Sequence, residues 1–263
     1  MSFAGRSAKC FVNKYYYDLH IHSCLSPCGD NESTPANIAG MAAVKGLQIA
    51  ALTDHNSTLN LPAFFKACKA YGVIPVGGME LTTAEDIHVV CLFRSLEDAM
   101  AFDGYVSEHR MKIPNRPDIF GHQYIVDENE EIAGEEEDLL ISAADLSLED
   151  AYRMVLERGG VCFPAHIDRP SNGIIETLGT FPEDPAYTAY ELNDASSFEQ
   201  YQKDYPLLSG LIHTVSSDAH YLWNIAEASF SIPLDDEPYS SDLVRNRLID
   251  YLLGKTEGEG PHG

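Results

Sequence analysis

A chain of 263 residues with 41 acidic against 17 basic side chains carries a formal charge of −24. That balance argues against the broad Lys/Arg surface from which nucleic-acid affinity mainly comes, so nucleic acid longer than a short oligonucleotide is not expected as a partner. No stretch approaches the roughly 20 apolar residues of a membrane span, which excludes a membrane partner, and the scattered Cys10, Cys24, Cys28, Cys68, Cys91 and Cys162 form no Cys-x-x-Cys pair and suit reduced thiols.

Residues 1–14 read as an N-terminal extension; Arg6, Lys9 and Lys14 flank no apolar core of signal-peptide type, so the protein is expected to be cytoplasmic. Tyr15 to Tyr17 open a first strand that ends on Asp18-Leu19-His20-Ile21-His22-Ser23. On an extended backbone His20 and His22 leave one face while Leu19 and Ile21 leave the other, so two imidazoles can grip one cation. Ser23 to Ser33 is a loop broken by Pro27 and Gly29, after which Thr34 caps a helix that begins at Pro35 and ends at Gly46. Leu47 to Thr53 reads as a buried strand delivering Asp54-His55-Asn56, and Leu61 to Tyr71 as a helix ended by Gly72. The next strand, from Val73 to Val76, leads through Gly77-Gly78 to Glu80. Thr82 to Asp86 turns the chain, and Ile87 to Phe93 is a strand with His88 near its start. If these two strands pair as an antiparallel hairpin, Glu80 and His88 meet.

Ser95 and Asp98 start a helix running to Met111. Residues 112–140 are the least regular part and read as a lid or insertion, with the acid run Asp127 to Asp138 a solvated loop. Ser147 starts a further helix closed by Gly159-Gly160, and Val161 to Ala165 is a strand ending on His166. After a loop from Arg169 to Phe181 come a strand (Tyr187 to Asn193), a short helix (Phe198 to Lys203) and a strand (Leu211 to Ser216) delivering Asp218-Ala219-His220. Ser241 caps the final amphipathic helix, and the polar, Gly-rich residues 254–263 are expected to be disordered. Residues 15–253 thus read as a single α/β domain, and the count of alternations favours a closed (β/α) barrel over an open sheet. No Gly-x-Gly-x-x-Gly or phosphate-loop motif follows any strand, which removes the usual dinucleotide and nucleoside-triphosphate readings.

Laid on this outline, His20, His22, Asp54, His55, Glu80, His166, Asp218 and His220 all fall at the carboxyl ends of strands, which converge on one mouth in a barrel. His109, His122, His213 and His262 fall elsewhere and read as ordinary surface or core histidines. Imidazole with carboxylate suits zinc, manganese or iron. So many ligands exceed one ion's needs, and two or three divalent cations bridged by Glu80 account for them, with Asp54 orienting a ligand instead of binding. Arg169 is the candidate for the substrate phosphate, since its fork matches two phosphate oxygens, and a salt bridge is its competing role. Asn56, Asn193 and Ser217 are polar neighbours of the mouth, with Asn56 taken as substrate-binding; Tyr221 and Trp223 could stack on a base or simply pack.

The segments DLHIHS, LTDHNS, GMELTT with DIHVVCLF, GGVCFPAHIDRP and VSSDAH, in this order, resemble the successive motifs of the PHP (polymerase and histidinol phosphatase) family from about Tyr17 to Leu234. The resemblance implies a distorted (β/α)7 TIM-like barrel with a metal cluster at its mouth, in phosphoesterases or polymerase-associated nucleases. It implies one cation on His20, His22, Glu80 and Asp218, and a second on Glu80, His88 and His166. A third would use His55 and His220 with a residue of the loop after His22. There the chain departs from the pattern, reading Ser26-Pro27-Cys28-Gly29-Asp30, so that Cys28 or Asp30 would have to complete the set. The expected activity is hydrolysis of a small phosphate monoester by a metal-bridging hydroxide, with Arg169 on the phosphate and either a protonated His220 or a metal-bound water giving the leaving alcohol its proton. Rival readings are a nuclease on short oligonucleotides or nucleic-acid ends and a non-catalytic metal-binding docking domain. An amidohydrolase is also considered, though Glu80 stands where such enzymes commonly use a modified lysine. Oligomeric state is not legible.

Overall fold

The computed structural model describes residues 12–255, so Cys10, His262, residues 1–11 of the extension and residues 256–263 of the tail lie outside the described residues. In chain order the elements are β1 (Val12–Asp18), α1 (Pro35–Val44), β2 (Ile49–Leu52), α2 (Leu61–Tyr71), β3 (Ile74–Thr82), β4 (His88–Phe93), α3 (Leu96–His109), α4 (Pro117–Phe120) and β5 (Tyr124–Val126). They continue with β6 (Ile132–Glu135), α5 (Leu148–Glu157), β7 (Val161–Pro164), α6 (Ile174–Leu178), β8 (Ala189–Leu192), α7 (Phe198–Asp204), β9 (Ile212–Val215), β10 (Ser231–Asp235) and α8 (Ser241–Leu252). β1 begins at Val12, inside the stretch read as an extension. Thr34, Ser95 and Ser147 cap their helices as expected, but the last helix is capped by Ser240, whose hydroxyl accepts from Leu243 N–H.

Six strands form one curled sheet in the order β10-β1-β2-β3-β4-β7, and β8 pairs with β9 in parallel. β1, β2 and β3 run parallel, while β4 is antiparallel to both β3 and β7 because the turn from Thr83 to Ile87 is too short for a parallel crossover. Two backbone bonds join the pieces at the carboxyl ends: Ile167 N–H donates to Glu191 O at 2.9 Å, and His22 N–H to Ala219 O at 2.9 Å. The architecture is therefore an α/β fold with a curled half-barrel sheet, and a regular count of seven β/α repeats is not what the strands show.

The sheet's inner face explains where the chemistry collects. Ile49 and Ala51, Ile74 and Val76, Val90 and Leu92, Val161 and Phe163, and Ala189 pack in one buried cluster with Val244, Leu248, Ile249 and Leu252 of α8. α8 covers the amino ends of the strands, where Arg245 Nη1 donates to Pro75 O at 3.1 Å and Thr188 Oγ1 to Leu252 O at 2.8 Å. Followed with a period of two toward the carboxyl ends of the parallel strands, which is the amino end of antiparallel β4, the same inward stripe runs from Val76 through Gly78 to Glu80, from Leu92 through Val90 to His88, from Ala51 through Thr53 to His55, and from Ala189 to Glu191. Apolar side chains fill one end of the half-barrel and ligand-type side chains the other. Alternation fails past the ends of β1 and β7: Leu19 joins the inner cluster but Ile21 the outer one, where regular β1 has stopped at Asp18 and Ile21 makes an isolated bridge to Ala219, and Ala165 joins the inner cluster but Ile167 the outer one. Gly78 is required where β3 pairs with β4, since a Cβ there would lie 2.4 Å from Cys91 O.

The insertion is built and docked. β5 and β6 form a hairpin inside it, and two buried asparagines fasten the segment, Asn60 at β5 and Asn56 at its carboxyl end. Asn60 Nδ2 donates to Tyr124 O at 3.1 Å and its Oδ1 accepts from Val126 N–H at 2.8 Å, while Asn56 Nδ2 donates to Leu140 O at 2.7 Å and Ser142 O at 2.8 Å. No helix among the described residues is long and apolar enough to cross a membrane.

Candidate metal centre

At the carboxyl ends of the strands, His20, His22, Glu80 and Asp218 each place one ligand atom within 4.8 Å of the others. All four are buried. Two further groups meet the same spacing, His55 with Glu80 and His88, and His22 with His55 and His220. His88 arrives through the antiparallel hairpin, its Nδ1 2.7 Å from Glu80 Oε1. His166, expected beside His88, reaches the same oxygen with Nε2 at 2.9 Å but falls outside that ligand group, where His55 stands instead with Nδ1 3.0 Å from Glu80 Oε2. Glu80 is thus approached by His20, His22, His55, His88 and His166.

Hydrogen bonds around the cage decide which nitrogen of each ring faces inward. Ser26 Oγ donates to Asp54 Oδ1 at 2.7 Å and accepts from His22 Nδ1–H at 3.0 Å, leaving the His22 Nε2 lone pair directed into the cage. Asp54 therefore acts on His22 through Ser26 and holds the loop through Ser23 N–H and Ser23 Oγ, both at 2.7 Å. His20 Nδ1 donates to Glu191 Oε1 at 2.8 Å, and His220 Nδ1 to Asp218 O at 2.9 Å, with the same consequence for their Nε2 atoms. Glu191 is absent from the sequence-derived site; its signal was a lone carboxylate on the inward stripe of an otherwise apolar strand end, Ala189 to Leu192.

The donor set fits divalent cations. The Nε2 atoms of His20 and His22 lie 3.1 Å apart and both face the carboxylates of Glu80 and Asp218, an arrangement one shared cation can satisfy. His55 Nδ1, His88 Nδ1, Glu80 Oε2 and Asp218 Oδ1 are buried and, although they lie close to one another, make no well-aligned hydrogen bond, which polar groups out of water rarely tolerate. A mixed imidazole and carboxylate cage of this kind suits zinc, manganese or iron.

Electrostatics follow the packing. Burial opposes charge on His22, but Asp218 and Glu80 outweigh it and raise the ring to about 9. Burial drives His55 down to about 3, and burial with the neighbouring His22 drives His220 down to about 4. Glu80 lies well below the usual carboxylate range, burial being overcome by His88, His20 and His55. Burial and His22 thus disfavour the protonated form of His220 that the sequence suggested as one source of the leaving group's proton. Asp218 (φ 49°), His166 (φ 25°) and Asn56 (φ 46°) all hold left-handed backbone, a conformation that clusters at functional sites.

Arg169 lies at the mouth, partly exposed, with Nη1 on Asp218 Oδ2 and Nη2 donating to Asn193 Oδ1 at 2.8 Å. The salt-bridge role weighed for it is thus made to a cage carboxylate. Asn56 is not available to substrate: its Nδ2 is spent on the insertion and its Oδ1 accepts from Thr82 N–H at 2.9 Å. Neither Cys28 nor Asp30 enters a ligand group; Asp30 Oδ1 accepts from Glu32 N–H in a local turn, and Cys28 is exposed on the rim. His109 bonds Tyr105 O at 2.8 Å, His122 pairs with Glu135 on the insertion, and His213 packs on Phe198, all remote from the cage contacts. Tyr221 and Trp223 stack on each other, ring centres 4.9 Å apart, and remain exposed.

Comparison with known proteins bears on the fold and the family. An uncharacterised protein of Methanocaldococcus jannaschii is 37% identical over 76 residues, which are 26% of this chain and 44% of that protein, so the match spans less than half of the relative's length. Among solved structures, a protein of Bifidobacterium adolescentis put forward as a metal-dependent phosphoesterase has a similar fold, with TM-score 0.54 and 17% identity over 90% of this chain and 96% of that one. The lesion-specific endonuclease of Pyrococcus furiosus is similar at TM-score 0.53 and 20% identity, over 80% of this chain but only 49% of that chain. The PHP domain family model matches residues 18–237, the stretch that carries every ligand-type residue of the cage, and the chain belongs to that family.

Proposed function

We propose that this protein is a metal-dependent hydrolase whose substrate is a small phosphate monoester. The observation that carries the reading is the buried cage itself, in which imidazole nitrogens and carboxylate oxygens from five separate strand ends and loops converge within ligand distance of one another. His20, His22, Glu80 and Asp218 would hold one cation, and Glu80 with His55, His88 and His166 would hold a second. Bound there, divalent cations supply Lewis acidity toward phosphoryl oxygens and acidify water to near neutrality.

The chain's own residues do the rest. Glu191, and Asp54 through Ser26, fix the rings of His20 and His22 so that their lone pairs stay inward. Arg169 stands at the open side, where its guanidinium can turn from Asp218 to two oxygens of an incoming phosphate. The surplus of acid repels long polyanions and favours a small substrate. Asn56 and Asn60 keep the insertion against the loop at Pro27, narrowing the rim.

A nuclease reading has its own support: the exposed Tyr221–Trp223 stack follows directly on His220, aromatic faces accept bases, and a fold relative is an endonuclease acting on lesions. Turnover of phosphorylated metabolites and of short oligonucleotides, measured side by side with added Mn2+ or Zn2+, separates the two. Release of inorganic phosphate from small monoesters supports the proposal, and preference for strand cleavage replaces it.

A further inference from the structure

Glu191 on β8 is 1% exposed yet belongs to none of the three ligand groups. Its Oε1 accepts two hydrogen bonds, from His20 Nδ1–H at 2.8 Å and from the backbone N–H of His166 at 3.3 Å, while its carbonyl accepts from Ile167 N–H at 2.9 Å. His20 and His166 approach the same oxygen of Glu80, at 3.4 and 2.9 Å, and their rings lie nearly parallel with centres 5.9 Å apart. His166 keeps a φ of 25°, a strained value for a residue with a side chain, which persists only where neighbours enforce it. One buried carboxylate oxygen therefore fixes the ring of His20 and the backbone that aims His166.

An acid at this place is costly to bury, and a glutamine oxygen could accept the same two bonds without the charge. What a carboxylate adds is electron density on His20 Nε2 through the Nδ1–H bond, which makes the ring a stronger metal ligand. We propose that Glu191 is a positioning residue shared by both sides of the centre, so that its removal weakens both cation positions at once. This inference rests on the metal-centre reading above.

The test titrates Mn2+ into the full chain after chelator stripping and follows free Mn2+ by electron paramagnetic resonance, resolving the stoichiometry and affinity of each class of site. Wild type that binds no Mn2+ defeats the metal-centre reading itself, a result distinct from failure of this inference. With binding established, Glu191→Ala is expected to weaken both classes by about 10–100-fold, whereas His20→Ala affects chiefly the class built on His20. Glu191→Gln keeps the two bonds and is expected to restore the class served by His166 while leaving the His20 class about tenfold weak. Loss confined to one class in Glu191→Ala, or affinities equal to wild type, overturns the inference. If Glu191→Ala fails to fold by circular dichroism, Glu191→Gln decides alone: a selective loss at the His20 class supports the assignment, and wild-type binding or equal loss at both classes refutes it. A purely structural role would lower the melting temperature of the metal-free protein without separating the two classes.

Discussion

Ser26→Ala removes one oxygen that serves three partners. Ser26 Oγ donates to Asp54 Oδ1 at 2.7 Å and accepts from His22 Nδ1–H at 3.0 Å and from His55 N–H at 3.2 Å. Two buried donors lose their acceptor, at about 1–3 kcal/mol each. The Asp54 carboxylate retains Ser23 N–H and Ser23 Oγ, so the loop should hold its course. The loss on His22 falls on metal binding: without a fixed acceptor at Nδ1 the ring no longer prefers the tautomer with its lone pair toward Asp218 and Glu80. About 10–100-fold weaker cation affinity is expected, the usual consequence of losing a group that orients a ligand. Competition of Zn2+ against a fluorescent chelator measures it, alongside urea unfolding of the metal-free protein. Zn2+ affinity equal to wild type in a folded Ser26→Ala variant would refute the argument that the Asp54–Ser26–His22 chain sets the ligand.

Three further outcomes follow from the packing. Glu80→Gln, which removes charge from the oxygen pair facing five histidines, should lower kcat on any good substrate by at least about 10³-fold and abolish binding of the second cation; a variant retaining a tenth of wild-type turnover contradicts it. Asn56→Ala strips three buried bonds from a position at φ 46°, so urea unfolding should show about 2–5 kcal/mol less stability and limited proteolysis should cut within residues 112–140. A loss under about 0.5 kcal/mol would show the insertion to be held elsewhere. Gly78→Ala sets a Cβ 2.4 Å from Cys91 O and 2.7 Å from Leu92 Cδ2, and since the first is backbone the strands must part; soluble yield or melting temperature should fall sharply, and a wild-type melting temperature rejects the reading.

Much of the centre was legible because strand periodicity and punctuation carry long-range geometry. Once β3 and β4 are read as a hairpin, Glu80 and His88 must meet, and they do, 2.7 Å apart. His55 joins Glu80 and His88 in one ligand group, a partner that motif order does not encode, while His166 reaches Glu80 Oε1 at 2.9 Å from a backbone of positive φ. Glu191 was missed since a single acid among apolar neighbours carries no motif, and Asn56 was misread because its partners, Leu140 and Ser142, come from a distant segment. β10 escaped notice through Pro233, which argues against a strand in general yet is tolerated on an edge, where β10 pairs only with β1. The hairpin of β5 and β6 was hidden by its acids, since charge suggests solvation whether or not the backbone is paired.

Elemental analysis of the purified chain, before and after reconstitution with Mn2+ or Zn2+ and dialysis, tests the central claim most directly. Two or more tightly held divalent cations per chain in the wild type, falling below one in a folded His20→Ala, His22→Ala double variant, is the predicted result. A wild-type chain that retains no cation after reconstitution would contradict the account of why these histidines and acids share one buried cage.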